Sequence, residues 1–326
     1  MKSFKAPKTV IIFLFLLLNC PLFSENTISP YSGIRSGIIN EYMRYDTGDG
    51  IKTTSQLDWS FTNPIIGISM DFSPLENIFL SVNTDFSIPT KIGSMEDYDW
   101  YNIYTENGTF RTHYSWNKNR TLDFITGELK GGYNLQVTNN FSIIPSLEYG
   151  FEHFSFTAFD GYKQYATKIG KEEGYDVYEE WDPSIPKEWS KGDKVSFEGI
   201  FSLLGPEVTF LFTAFDKLHF TISEALLFSV YSKQVDNHML RNFKLGYDST
   251  GLTNSKTNVK IKYDINEHNS IGIFSSFNFI FPKYSNCYKM NTDSEKETYQ
   301  KWMRISNIGD FRQLMYTVSL SYCYRY

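Results

Sequence analysis

Hydrophobic and polar residues alternate one by one along much of this chain. The clearest run lies at its C-terminal end. There Tyr316, Val318, Leu320, Tyr322, Tyr324 and Tyr326 alternate with Thr317, Ser319, Ser321, Cys323 and Arg325. Successive side chains of a strand point to opposite faces, so the run predicts a strand with one apolar and one polar face. Ile78, Leu80, Val82, Phe86 and Ile88 form a second stripe, and Phe220, Ile222, Leu226, Phe228 and Val230 a third. Weaker alternation covers Phe141 to Thr157, Val195 to Phe215, Asn258 to Ile265 and Ile271 to Phe281. Short polar turns at 73–77, 138–140, 216–217 and 266–269 alternate with long connections near 90–120, 160–194, 235–256 and 284–309. With a first connection near 46–50, the pattern yields ten strands, an even number suited to closure. The expected fold is all-β: a ten-stranded antiparallel transmembrane β-barrel, up-and-down, with long extracellular loops.

Composition strengthens the membrane reading. Of the 326 residues 17% are aromatic, with 28 Phe and 23 Tyr, yet mean hydropathy is only −0.34. Rings dispersed through polar sequence suit strands that meet lipid on one face and water on the other. Lys2, Lys5 and Lys8 precede the apolar run Val10 to Leu18, which is shorter than the ~18 residues a spanning helix needs. Residues 1–24 are therefore expected to be a signal peptide cleaved after Ser24, and 25–326 the barrel. The net charge of −6, without a basic patch, excludes nucleic acid as an expected partner. Cys287 and Cys323 have no metal-ligand spacing, and neither metal nor cofactor is expected.

Candidate chemistry concentrates at the mouth of such a barrel. In Met95-Glu96-Asp97-Tyr98-Asp99-Trp100, the two aspartates share one face of an extended segment. Carboxylates that close repel, and one holds its proton more tightly. Val235-Asp236-Asn237-His238 follows the seventh strand and opens a long connection at the same end. A histidine beside a carboxylate is the usual general base. One tension accompanies this placement. Asp236 and His238 have the parity of Phe228 and Val230, which belong to the apolar outer stripe. A β-bulge between about 230 and 236 is needed to turn them inward.

These residues, in this order, resemble the omptins, the outer-membrane proteases of Gram-negative bacteria. Ser55-Gln56-Leu57-Asp58-Trp59, Met95-Glu96-Asp97-Tyr98-Asp99-Trp100, Phe154-Ser155-Phe156-Thr157-Ala158 with Gly161, and Asp236-Asn237-His238 are similar to four family segments across nearly the whole mature chain. The resemblance implies an endopeptidase with polypeptide substrates, in which a water between Asp97 and His238 attacks the scissile carbonyl. Asp99 would support Asp97, and Asp236 would orient His238. It also implies cleavage near basic residues, with Glu41 as a substrate-binding acid. Gln234 stands where the family has a second such acid. On the lipid face Tyr149 matches a family contact for lipopolysaccharide, whereas Phe151, His153 and Ser202 replace an acid and two arginines, so dependence on lipopolysaccharide is not expected. Two other readings stay open: a catalytically silent barrel of the same kind acting as an adhesin or surface-binding protein, and a small porin.

Overall fold

The computed structural model describes residues 26–48, 50–102, 110–172, 174–292 and 302–326. The expected signal segment lies outside them. The described chain is built from strands: β1 (Asn26–Asp46), β2 (Ile51–Leu75), β3 (Ile78–Ser87), β4 (Ser94–Asp99), β5 (His113–Tyr133), β6 (Leu135–Thr138), β7 (Phe141–Tyr165), β8 (Lys168–Glu172), β9 (Tyr175–Tyr178), β10 (Glu188–Ala214), β11 (Leu218–His238), β12 (Phe243–Asp248), β13 (Thr253–Asp264), β14 (Asn269–Ile280), β15 (Tyr284–Asn291) and β16 (Met303–Arg325).

Antiparallel neighbours run β1, β2, β3, β5, β7, β10, β11, β13, β14, β16, and β16 pairs back to β1 with Ile34 opposite Val318. That makes a closed ring of ten staves. Three staves are interrupted. β4 resumes the line of β3 between β2 and β5, and β12 and β15 fill the upper positions next to β11 and β16. Closure leaves no unpaired edge, as a bilayer demands.

Outer and inner faces alternate as the period-2 pattern predicts. Ile34, Ile66, Leu147, Phe228, Val318 and Tyr324 are among the apolar side chains exposed on the outside. Inside, the lumen is filled in layers. Toward the short turns lies a charged lattice. The ammonium of Lys256 lies 2.6 Å from Glu128 and 2.7 Å from Glu148, that of Lys130 2.7 Å from Glu207, and Arg35 pairs with Asp85 at 2.7 Å. Above it stands an aromatic layer of Trp59, Phe61, Phe124, Phe154, Phe156, Phe197, Phe201 and Phe311, all buried. Its rings pack at centroid distances such as 5.2 Å for Phe61 with Phe156 and 5.1 Å for Phe201 with Phe311. The Arg35 guanidinium joins the two layers, 4.7 Å from the Phe124 ring centre. A lumen plugged this way differs from the open channel a porin requires.

The long connections expected from the sequence are shorter than the alternation suggested. Strand structure continues through much of 94–99, 113–120 and 160–165, and β10 begins at Glu188. Above the lipid band both faces of a strand meet water or other protein. The apolar stripe that marks a strand in sequence is then lost, although backbone pairing persists.

Candidate active site

Two irregularities in the ladder bring the candidate residues together. The first lies between β3 and β4. On β2, Trp59 pairs with Met95 and Ile65 with Ser87. Six steps on β2 thus face eight on the other stave, an excess of two residues. An even excess preserves side-chain parity, so Met95, Asp97 and Asp99 point into the lumen like Asp85 and Ser87. Gly93 makes the detour possible. Its φ is +148°, and a Cβ there would sit 2.1 Å from the Ser60 carbonyl oxygen.

The second irregularity is the bulge anticipated in β11. Ser202 of β10 pairs with Tyr231 and Leu203 with Ser229, which leaves Val230 without a partner. Val230 and Tyr231 are both exposed, and inward burial resumes at Ser232, Gln234 and Asp236. One extra residue reverses the parity of everything above it. Asp236 becomes buried and His238 half-buried at the mouth.

β4 and β11 stand on opposite sides of the ring, and Asp97 and His238 line the same cavity of about 120 Å³. That volume accommodates a few waters, at ~30 Å³ each. Behind His238, its Nε2 lies 2.5 Å from Oδ2 of Asp236. The contact is close, but off the line a hydrogen bond requires, so both atoms lack a hydrogen-bond partner. The imidazole stacks on Phe243 at 4.5 Å. On the other side, Ser55 Oγ donates to Asp97 Oδ1 at 3.4 Å, and the Tyr101 hydroxyl donates to Asp99 Oδ2 at 3.0 Å.

The charges around the cleft shape one another. Burial lifts the Asp97 carboxyl well above the usual carboxylate range and the Asp99 charge adds to it, while Arg241 opposes the shift. Asp99 is raised by burial as well, and Arg241 and Tyr101 hold it back. Glu41, buried on β1, is pushed well above its ordinary range by burial and then by Asp236 and Asp97. Tyr247 and Trp59 lie beside Glu41, yet neither of its oxygens is in hydrogen-bonding geometry with a partner. The five residues expected from the sequence therefore occupy one region.

Other members of the site carried no recognisable sequence signal. Arg241 sits in the turn after β11, its backbone N–H donating to the His238 carbonyl at 3.1 Å. His113 lies beside Asp99 across the β4–β5 ladder. It is packed by Tyr101, Tyr165 and Tyr178, and burial, with Arg241 and Lys163, lowers it to about 4. His113 follows Arg111-Thr112 and Arg241 follows Met239-Leu240, and neither neighbourhood carries a pattern that marks a site. Gln234, in place of a second acid, faces inward fully buried and donates to Ser232 Oγ at 2.6 Å.

The segment Phe154 to Gly161 is structural in this setting. Phe154 and Phe156 form part of the aromatic layer and Ala158 is fully buried. At Gly161 a Cβ would lie 2.1 Å from the Trp116 carbonyl oxygen, so the two strands meet there only because the residue is glycine. On the outer surface, the Tyr149 hydroxyl donates to Ser202 Oγ at 3.2 Å. His153 is held between Asp123, at 2.9 Å, and Glu198, at 3.2 Å.

No curated protein matches the sequence. Among solved structures, the outer membrane protease OmpT from Escherichia coli aligns over 94% of this chain and 99% of its own, with a TM-score of 0.78 at 16% identity. The outer membrane protein OprG from Pseudomonas aeruginosa aligns over 92% of this chain and 96% of its own, with a TM-score of only 0.34 at 8% identity. The first likeness establishes the ten-stranded fold and the second carries no argument. The profile of the Omptin family matches residues 25–326, essentially the whole barrel, and this chain, an outer-membrane β-barrel, accordingly belongs to the Omptin family.

Proposed function

We propose that the protein is an outer-membrane endopeptidase whose active site, at the mouth with the long hairpins, faces outward. The observation that carries the reading is the shared cavity: Asp97 and His238, on opposite staves, line one space of a few waters, with Asp236 directly behind the imidazole. A water held there is polarised from two sides. Its oxygen adds to the scissile carbonyl carbon as its proton passes to His238. The C–N bond then breaks, and the leaving amine takes a proton from the imidazolium. Asp236 stabilises that imidazolium, and Asp99 acts with Asp97 as one coupled acid pair. No covalent acyl-enzyme belongs to this reading, because the attacking oxygen is that of the water. Glu41 supplies a buried carboxylate for a basic side chain next to the scissile bond, because a guanidinium leaving water needs an opposite charge.

We also propose that cleavage proceeds without lipopolysaccharide. Asp123 and Glu198 flank His153 on the outer surface, and two carboxylates repel a phosphate where arginines would hold one.

The test is cleavage of a peptide library by refolded protein, with and without lipopolysaccharide, with Asp97→Ala and His238→Ala as controls. Cleavage in both conditions, lost by about 10²-fold or more in each variant, is the expected result. No cleavage by the unaltered protein in either condition would overturn the reading in favour of a silent surface-binding barrel. The porin alternative conflicts with the aromatic layer across the lumen.

A further inference from the structure

The cleft between β4 and β11 has two flanks, and they differ in charge. Going round the ring one way from β4 to β11, the staves are β2, β1, β16 and then β15 and β12. This flank holds Glu41 on β1, with Tyr247 and Cys287 near it. Going the other way, the staves are β5, β7 and β10. This flank holds the cavity that Asp97 and His238 share, and its wall carries three cations: Lys163 from β7, Lys194 from β10 and Arg241 from the turn beyond β11.

We infer that Lys163, Lys194 and Arg241 form a second subsite, which takes an acidic side chain of the peptide at the end of the cleft opposite Glu41. The inference rests on the peptidase reading and deepens it, giving the substrate as a peptide with opposite charges on either side of the cut bond.

Three observations support it. Arg241 is exposed at the cleft, where Tyr165 and the Asp97–Asp99 pair lie near its guanidinium, but it makes no ion pair among the described residues, so donors of its five-donor fork stay open for a ligand carboxylate. The Lys163 ammonium is 3.1 Å from Glu188, but that pair is solvent-exposed, at 45% and 69%, and exchanges readily for another carboxylate. Lys194 Nζ donates to the backbone carbonyl of Lys191 at 2.7 Å and makes no ion pair among the described residues. The one carboxylate lining this cavity is Asp97 itself. Polar groups of the wall, Ser115, Asn117 and Ser190, can complete the hydrogen bonds of a bound carboxylate.

The experiment uses fluorescent peptides with one Arg fixed and a single neighbouring position varied among Glu, Gln and Lys on either side of the cut. The expected result is that kcat/KM for Glu exceeds that for Lys by about tenfold or more at one position on the side away from Arg. In Arg241→Gln, and further in the triple variant with Lys163→Gln and Lys194→Gln, that ratio falls toward one, while Arg241→Lys keeps most of it. Equal cleavage of Glu and Lys peptides, or a ratio unchanged in the triple variant, overturns the inference while leaving the peptidase reading intact. Failure to cleave any peptide overturns the peptidase reading. In that case fluorescence anisotropy of the same peptides still tests the subsite: tighter binding of the Glu than of the Lys peptide, lost in the triple variant, supports it, and equal binding overturns it.

Discussion

Deleting Val230 and Tyr231 together tests the side-chain parity on which the proposed active site depends. Val230 is the unpaired residue between Ser229 and Tyr231 opposite β10. Removing Val230 alone would only join Ser229 to Tyr231 in regular pairing and leave Ser232, Gln234 and Asp236 inward, with cleavage kept; removing both outward residues makes Ser232 the outward neighbour of Ser229 and reverses every face above it. Ser232, Gln234 and Asp236, buried to within 1%, then turn outward together with His238. Lys233, Val235 and Asn237 turn inward in their place. Passing from one face of a sheet to the other moves a side chain by several ångströms, whereas a misplacement of about 1 Å can cost ~10²-fold in rate. Loss of the base and its orienting carboxylate together removes about 10²–10⁴-fold, and of geometry still more. Driving the Lys233 ammonium inward without a partner costs several kcal/mol, so pairing above residue 230 frays instead. Below the bulge, β11 keeps its pairing with β10 and β13 from Leu218 to Phe228. The expected outcome is a barrel that refolds, seen as a heat-sensitive shift in gel migration, without detectable cleavage of a fluorogenic peptide. Exchanging the two residues by Val230→Tyr with Tyr231→Val keeps the length and should keep cleavage. A double-deletion variant that refolds and cleaves within about tenfold of the unaltered protein would refute the argument that parity positions the Asp–His pair.

Three further outcomes follow from particular contacts. Arg241 opposes the raised pKa of both Asp97 and Asp99, so Arg241→Gln raises both further; the acidic limb of kcat/KM against pH then moves to higher pH, and a limb that stays or moves down contradicts this assignment. Phe156 packs between Phe61 at 5.2 Å and Phe154 at 5.3 Å; Phe156→Ala costs about 3–5 kcal/mol in urea unfolding in lipid, and the unaltered protein in a planar bilayer shows no steady channel conductance, whose appearance would revive the porin reading. Arg35→Ala leaves Asp85 buried without its partner at 2.7 Å and destabilises by about 3–5 kcal/mol, much of which the double variant Arg35→Leu with Asp85→Leu restores; equal losses in the single and double variants would show that the charge pair is not the cause.

The sequence determined the strands that meet lipid. Within the bilayer a strand must alternate, because one face meets hydrocarbon and the other the lumen, and β16 carries that alternation without interruption from Tyr316 to Arg325. The number of staves followed from counting such stripes between turns. The sequence also singled out Asp97 with Asp99 and Asp236 with His238 as chemically suggestive pairs, and Glu41 through the family resemblance, and the structure places all five in one region. It even showed that something irregular had to intervene after Phe228, since Asp236 lay on the wrong parity. Above the lipid the signal stops. There β4, β12 and β15 pair as regularly as the strands beneath them, but with water on the outside nothing forces an apolar stripe, and they resemble loop.

Tertiary structure alone decided the rest. Whether the Asp pair kept its face depended on how many residues were inserted between β3 and β4, and two leave parity unchanged where one would have reversed it. Whether His238 faced inward depended on Val230 staying unpaired, which is set by the register of β11 against β10. Arg241, Lys163 and Lys194 come from a turn and two strands separated by up to 78 positions in sequence, and no local pattern joins them. Closure of the ring brings them to one wall of the cleft, because the ends of neighbouring staves must meet around a mouth only a few side chains wide.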